Sequence, residues 1–173
     1  MDGQALAGKV AIVTGGGRGI GRAEALALAA LGAAVVVGDF GRDETGRSSA
    51  GQVADEIRGT GGRAVAATED LMHDSGARQT VAAALDTYGG LDILVNNAGL
   101  RGGNPVTRLT DDQWNTVLDS HLKASFLMAR HAIGPMRDRG GGSIINTGSE
   151  AGLGMVFNAA YAAAKEGLAG LTR

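Results

Sequence analysis

Five short apolar runs constrain the fold of this chain more than any other feature of its sequence. They are rich in Val and Ile, do not alternate with polar residues, and lie at 10–15, 33–39, 63–68, 91–97 and 143–148. Such runs are typical of strands buried on both faces, as in a parallel sheet. Stretches with helical periodicity separate them, at 19–31, 48–59, 74–88 and 111–138, and a last helix runs from near Asn158 to the end. This alternation predicts one α/β domain with a doubly wound parallel sheet.

The longest helical stretch, 111–138, carries clear boundary signals. Thr110 can cap its start, and acids follow in the first turn. Gly residues follow the cations near its end, which is a helix stop. Its apolar positions are predicted to lie mostly in the core: Trp114, Val117, Leu118, Leu122, Phe126 and Ala129.

Composition excludes several classes of function. The 173 residues are 44% hydrophobic, and the net charge is −2 without a basic run, which argues against disorder and against nucleic acid as a partner. There is no cysteine, and His73, His121 and His131 are not spaced as metal ligands, so no metal site is expected. No segment approaches the roughly 20 apolar residues that cross a bilayer, and the N-terminus lacks a secretory apolar region. These features predict a soluble cytoplasmic protein that does not bind membranes.

The glycine-rich stretch TGGGRGIGRA, at 14–23, follows the first strand and opens the first helix. Gly15 permits a tight turn, Gly19 lets the backbone approach a pyrophosphate, and Gly21 lets the helix pack closely on the sheet. The helix N-terminus adds free N–H groups and a positive dipole end. A turn selected only for tight packing would show the same glycines, so the motif needs further support.

An acid at the end of the second strand supplies that support. Asp39 lies 20 residues after Gly19, the spacing at which a carboxylate can accept hydrogen bonds from the adenosine ribose. A carboxylate there would repel a 2′-phosphate, which favours NAD over NADP. Arg18 and Arg42 could favour NADP instead by pairing with such a phosphate. An acid at the strand end that is merely solvated is the alternative.

Tyr161 and Lys165 are four residues apart in an alanine-rich helical stretch, so they project from the same face. Tyrosine ordinarily has a pKa near 10, and a nearby ammonium favours the phenolate and lowers that pKa. A tyrosine tuned in this way can protonate a carbonyl oxygen or take the proton of an alcohol. Ser149, just past the fifth strand, could hold the reacting oxygen. The spacing of Tyr and Lys also occurs by chance on many helices.

Taken together, these residues resemble the short-chain dehydrogenase/reductase family over essentially the whole chain. The resemblance rests on TGGGRGIG at 14–21, Asp70 with Leu71, NNAG at 96–99, and the set Ser149, Tyr161 and Lys165. It implies a Rossmann-type dinucleotide-binding domain over 1–173 and hydride transfer between a nicotinamide, expected to be NAD rather than NADP, and an alcohol or carbonyl substrate.

The resemblance also assigns roles to residues. Tyr161 would be the general acid/base, Lys165 would lower its pKa and bind the nicotinamide ribose, and Ser149 would orient the substrate oxygen. The residues expected to contact the cofactor are Gly15, Arg18, Gly19, Ile20, Gly21, Asp39, Asp70, Leu71, Asn97, Ala98 and Gly99, with Tyr161 and Lys165.

His121 stands where the family usually has an Asn that completes a proton relay. Because the ordinary pKa of histidine is near 6.5, His121 could carry protons in the relay, or it could simply fill a helix position. The neighbouring HLKAS, at 121–125, and the stretch 35–58 resemble the NAD-dependent hydroxyacyl-CoA dehydrogenase-like subgroup. A 3-hydroxyacyl thioester is therefore a conceivable substrate.

Family members normally continue beyond the Tyr/Lys helix. We therefore expect this chain to lack the family's C-terminal strands and substrate loop, and to come from a parent that is a homo-oligomer. Two alternatives remain open: a truncated nucleotide-binding fragment without activity, and an NADP-dependent 3-ketoacyl reductase. Residues that could line the rest of a substrate pocket are Arg101, Gly102, Gly103, Met155 and Phe157.

Overall fold

A computed structural model describes residues 4–100, 102 and 104–173. They contain a five-stranded sheet in the order β3-β2-β1-β4-β5, and every pairing is parallel. The strands are β1 Val10–Thr14, β2 Ala34–Gly38, β3 Arg63–Ala67, β4 Ile93–Asn96 and β5 Ser143–Asn146. The predicted doubly wound fold is confirmed, and each predicted strand is present with ends shifted by at most two residues.

Helices cover both faces of the sheet. Their bounds are α1 Gly19–Ala30, α2 Ser49–Gly59, α3 Asp74–Tyr88, α4 Asp111–Leu118, α5 Ala124–Asp138 and α6 Ala159–Thr172. One face of the central strands packs against α1 and α2, through residues such as Val13 and Val35. The opposite face packs against α3 and α5, through residues such as Ile12 and Val36. Because both faces of β1 and β2 are buried, these strands are apolar except for Thr14 at the end of β1, as the sequence indicated.

A π-helical turn over Asp119–Lys123 divides the predicted 111–138 helix into α4 and α5. Thr110 caps α4 as predicted, with its hydroxyl accepting the Gln113 N–H at 3.2 Å. The predicted core positions Trp114 and Phe126 are wrong, since both side chains are exposed. Phe126 is nine residues beyond the buried Val117, which is about two and a half helical turns and therefore the opposite face of the helix. Leu127 and Met128 are buried on α5 instead.

The carboxyl ends of all five strands meet at one edge of the sheet. In open α/β sheets this edge forms the ligand crevice, where the strand order changes direction. Here the reversal falls between β1 and β4, whose ends carry the glycine turn and the 97–99 segment. Within the described part of the chain, no helix has the length and apolar character needed to span a bilayer.

A buried acid lies at the opposite edge of the sheet, where the strands begin. Asp92 is 5% exposed and accepts the Val10 N–H at 2.9 Å. Its carboxylate also pairs with Lys9 at 3.3 Å and with Arg139 at 3.2 Å. Burial by itself raises the pKa of Asp92, but these donors outweigh that effect and hold the pKa below its ordinary value.

Replacing Asp92 with Asn is expected to lower the free energy of unfolding at pH 7 by about 1–3 kcal/mol, because charge-assisted hydrogen bonds are lost. The folded-state pKa of Asp92 is depressed. Its stabilisation is therefore complete above the unfolded pKa of about 3.9 and is lost as the pH falls through the folded value. Urea titrations should show the two proteins converging in acid. The exposed Asp138→Asn is the control, and an equal effect from it would contradict the prediction.

Candidate active site

A cleft of about 1300 Å³ opens at the carboxyl edge of the sheet. It is bounded by the glycine turn, the end of β2, the segment after β3, the segment after β4, and residues of the π-helical turn and α6. The predicted site residues that line it are Gly15, Arg18, Gly19, Ile20, Asp39, Asp70, Leu71, Asn97, Ala98, Gly99, His121 and Tyr161. The fold thus brings together residues that are spread over nearly 150 positions of sequence, and most of the predicted contact set shares one cavity.

The glycine turn contains backbone conformations that residues with a side chain rarely adopt. Gly15 has φ +63° and Gly19 has φ +53°, in the left-handed region that favours glycine. A Cβ on Gly21 would overlap the Gly15 carbonyl oxygen and the Asn97 side chain, so Gly21 permits close packing rather than lining the cleft. Arg18 precedes α1 and makes no side-chain cap, which leaves the first N–H groups of α1 for another acceptor.

The segment after β4 is held against the glycine turn. The Thr14 hydroxyl accepts the N–H groups of Asn97 at 3.0 Å and Ala98 at 3.1 Å, and it donates to the Val95 carbonyl at 3.2 Å. The Asn97 amide in turn donates to the Thr14 carbonyl at 3.1 Å. Thr14 therefore fixes two walls of the cleft relative to each other, a role that the sequence analysis missed. A hydroxyl at the strand end just before the glycines was the available signal.

Asp39 lies at the cleft wall beyond β2 with its orientation fixed. One carboxylate oxygen accepts the Gly17 N–H at 3.0 Å and the other accepts the Gly41 N–H at 2.7 Å. Arg18 donates to the Ser49 hydroxyl at 3.0 Å. Arg18 also donates to the Arg42 carbonyl at 2.7 Å. The acid is thus presented to the cleft, while Arg18 already has protein acceptors.

Tyr161 and Lys165 share one face of α6, as predicted, but occupy different environments. Tyr161 lines the cleft, whereas the Lys165 side chain is buried behind it and is 6% exposed. The Lys165 Nζ donates to the Thr147 carbonyl and lies 5.5 Å from the centroid of the Tyr161 ring. Burial lowers the pKa of Lys165.

His121 packs against Tyr161 in an edge-to-face arrangement with ring centroids 5.1 Å apart. Burial lowers the pKa of His121 to about 4, and the positive charge of Lys165 acts in the same direction. The ordinary pKa near 6.5, on which the relay interpretation depended, therefore does not apply here. His121 is neutral at physiological pH, and any part it plays in proton movement has to be played in that form.

Other predicted site residues lie away from the cleft. Ser149 is exposed, and its hydroxyl accepts the Ala151 N–H at 3.2 Å, capping a short 3₁₀ turn. It borders a smaller cavity of about 150 Å³ together with Lys165. Met155 and Phe157 are exposed and are not part of the cleft wall. Gly102 does line the cleft, whereas Arg101 and Gly103 lie outside the described residues.

Comparison with known proteins identifies the family. The model of the short chain dehydrogenase family matches residues 9–173. The chain belongs to the short-chain dehydrogenase family. This confirms the predicted family, whose members are oxidoreductases, and the family implies a nicotinamide cofactor. A solved short chain dehydrogenase from Mycobacterium avium is 43% identical, with a TM-score of 0.92, over 97% of this chain and 62% of that one.

Two curated relatives belong to the subgroup indicated by the sequence, which confirms that prediction. Hydroxyacyl-CoA dehydrogenase ChsB1 of Mycobacterium tuberculosis is 44% identical over 96% of this chain and 55% of its own length. Peroxisomal multifunctional enzyme type 2 of Mus musculus is 41% identical over 95% of this chain and 23% of its own length. The chain thus spans about half or less of the length of these two relatives.

Proposed function

We propose that this chain binds NAD(H) and takes part in hydride transfer between that cofactor and an alcohol or carbonyl substrate, with Tyr161 as general acid/base. The observation that carries this proposal is the shared cleft. Tyr161 and the glycine turn border the same cavity, although they are about 140 positions apart in the sequence. A reacting oxygen bound beside Tyr161 would therefore lie in the cavity that holds the cofactor.

The residues present fit a dinucleotide. The space where a Cβ of Gly19 would stand is open, so a pyrophosphate could approach the backbone there. The uncapped N-terminus of α1 supplies N–H donors and a positive dipole end for its negative charge. Asp39 retains acceptor capacity for ribose hydroxyls, since each carboxylate oxygen has more than one lone pair. These features favour NAD, as does the engagement of Arg18 with Ser49.

The nicotinamide of the bound cofactor would accept or donate the hydride, and side chains of the protein would donate or accept the proton. The Tyr161 hydroxyl would give its proton to a carbonyl oxygen in reduction or accept the alcohol proton in oxidation. Lys165 would stabilise the phenolate form from behind the ring. The contact between Ser149 and the substrate stays a prediction. The Ser149 hydroxyl lies outside the cleft wall and accepts the Ala151 N–H.

A 3-hydroxyacyl thioester is the substrate class that we favour. The support is the similarity to the Mycobacterium tuberculosis relative, which is a hydroxyacyl-CoA dehydrogenase. We keep a cytoplasmic location and assembly into a homo-oligomer as predictions. The name of the mouse relative includes the word peroxisomal, which makes the location a question for direct measurement.

Titration of the purified 173-residue chain with NADH tests the binding step. We expect enhanced nicotinamide fluorescence together with a rise in the thermal midpoint, because a ligand that binds only the folded state stabilises it. Turnover with a panel of 3-hydroxyacyl thioesters and simple secondary alcohols tests the chemistry. Binding without turnover on any substrate would support the alternative of a nucleotide-binding module, which the placement of Ser149 also favours. Absence of NADH binding would contradict the proposal.

Replacing Asp39 with Ala is expected to reduce the preference for NADH over NADPH by about tenfold or more. The carboxylate repels the 2′-phosphate, so its removal should reduce the difference between the binding free energies of NADH and NADPH by at least about 1.4 kcal/mol. The measurement is the ratio of the two dissociation constants. Asp86→Ala, on the exposed face of α3, is the matched control and should leave the ratio unchanged. Tighter binding of NADPH by the wild type would favour the NADP-dependent reductase and contradict our assignment.

A further inference from the structure

Two arginines border the cleft at the end where Asp39 lies, namely Arg18 and Arg42. Both also border a second cavity of about 490 Å³ beside it. Two guanidinium groups next to open space are a setting in which a phosphate group can bind. In this structure both guanidinium groups instead donate to backbone carbonyl oxygens. The contacts that hold them there therefore decide whether they are available to a ligand.

The carbonyl oxygens that accept from these arginines belong to the 41–48 loop, between β2 and α2. Arg18 donates to the Arg42 carbonyl oxygen at 2.7 Å and to the Ser49 hydroxyl at 3.0 Å. The Arg42 side chain donates to the Gly46 carbonyl oxygen at 3.0 Å. Each guanidinium group thus depends on the conformation of this loop, because the loop supplies a backbone acceptor to both.

The carboxylate of Asp43 holds the 41–48 loop in shape. One of its oxygens accepts the Thr45 N–H at 2.9 Å, the Thr45 hydroxyl at 2.7 Å and the Arg47 N–H at 2.9 Å. The other oxygen accepts the Gln52 side-chain amide of α2 at 2.8 Å. The Thr45 hydroxyl and the Arg47 N–H lower the pKa of Asp43, so the carboxylate is ionised at neutral pH. A single side chain therefore joins the turn of the loop to α2.

The peptide unit between Arg42 and Asp43 connects this turn to Arg18. Its carbonyl oxygen accepts from Arg18, and its N–H donates to the Arg47 carbonyl oxygen at 2.9 Å. The Gly46 N–H also donates to the Asp43 carbonyl oxygen at 2.9 Å. Loss of the Asp43 carboxylate would remove the acceptor of the Arg47 N–H, so the turn that orients this peptide unit would loosen.

We propose that Asp43 is a positioning residue for the choice of cofactor: it fixes the 41–48 loop, so that Arg18 and Arg42 stay bonded to backbone carbonyls and do not pair with a 2′-phosphate. The inference rests on the proposed function and deepens it. Asp39 disfavours the phosphate by its charge, whereas Asp43 keeps the cations that would attract the phosphate bonded within the protein. Asp43 acts through the loop and needs no contact with the cofactor.

The ratio of the dissociation constants of NADPH and NADH tests this role in Asp43→Ala. We expect NADPH binding to strengthen about three- to tenfold relative to NADH binding, because released guanidinium groups can form charge-assisted hydrogen bonds with the 2′-phosphate. A merely structural role would weaken the binding of both dinucleotides alike. An unchanged ratio would therefore overturn the proposal.

Glu44→Ala is the matched control for charge. Glu44 is the next residue, is exposed, borders the same 490 Å³ cavity, and makes no side-chain hydrogen bond within the described part of the chain. Its removal should leave the ratio unchanged, and an equal shift in both variants would overturn the proposal in favour of charge alone. Asp43→Asn keeps the oxygen that accepts the three donors of the turn, so it should retain the wild-type ratio. A shift as large as that of Asp43→Ala would contradict the role of that oxygen.

Hydrogen exchange of the arginine side chains, followed by ¹⁵N NMR, tests the hold of Asp43 on Arg18 without any cofactor. We expect the Arg18 Nε–H, assigned with Arg18→Lys, to exchange slowly in the wild type and in Glu44→Ala, and faster in Asp43→Ala. Equal exchange in all three proteins would overturn the proposal. A chain that binds neither dinucleotide would contradict the proposed function, and the exchange rates would still decide whether Asp43 positions Arg18.

Discussion

Replacing Tyr161 with Phe is expected to lower the rate of substrate oxidation or reduction by about 10²- to 10⁴-fold, the usual range for loss of a general acid/base. The substitution removes only the hydroxyl. The ring that packs against His121 and in front of Lys165 stays in place. Affinity for NADH should therefore change little, whereas the chemical step loses its proton donor. Single-turnover rates and NADH titrations of the same samples separate the two effects.

The chain offers a matched control for this experiment. Tyr88, its other tyrosine, ends α3, is absent from the cleft wall and lies under Arg63 with 5.8 Å between guanidinium and ring centroid. Tyr88→Phe removes the same atom elsewhere and should leave turnover unchanged. Turnover by Tyr161→Phe at the wild-type rate would rule out the proposed acid/base. A fall in NADH affinity equal to the fall in rate would instead indicate that the hydroxyl serves binding.

Local patterns were enough to predict the sheet. β1 and β2 are buried on both faces, so their sequences, VAIVT and AVVVG, are apolar without alternation, and this pattern has few other interpretations. The edge strand β5 is only half-buried. Its position was still predicted correctly, because Gly residues precede the strand and a Thr-Gly pair follows it. Strand order, in contrast, depends on which helices cover which face, and no single segment encodes that.

The π-helical turn shows what periodicity could not supply. An i, i+4 row through Leu118 and Leu122 places Phe126 in the core, but such a row drifts around a helix of 3.6 residues per turn, and the buried face of α5 lies at Leu127 and Met128 instead. The same turn allows both Ser120 and His121 to reach Leu100. A helix pattern carries no mark of such an insertion, because its cause is tertiary: two adjacent side chains are bonded to a segment about 20 positions away.

The cleft was predicted better than the chemistry inside it. Strand-end residues such as Asp39 and Asn97 meet at one edge because parallel strands end there together, so their convergence follows from topology. The position of Ser149 depends on a short 3₁₀ turn that the sequence did not reveal. The pKa of His121 depends on burial among residues distant in sequence. Environment, rather than residue type, decides what these side chains can do.

Replacing Gly21 with Ala should have a large effect for the addition of a single methyl group. The added Cβ would overlap the Gly15 carbonyl oxygen, which is backbone and cannot rotate away, as well as the Asn97 side chain. Either the glycine turn or the 97–99 segment must move. We expect NADH to bind about tenfold more weakly or worse, and the free energy of unfolding to fall by about 1–3 kcal/mol, as for other overpacked sites.

Gly170→Ala is the matched control, because it adds the same methyl group on α6 where nothing lies within 4 Å of the new Cβ. It should leave NADH affinity unchanged and preserve or slightly raise stability, since alanine favours helix more than glycine does. NADH titration and urea unfolding of both variants give the comparison. If Gly21→Ala bound NADH as the wild type does, the close packing of α1 against Asn97 would not be needed for the glycine turn to bind NADH. If it lost stability alone, Gly21 would serve the fold without shaping the binding site.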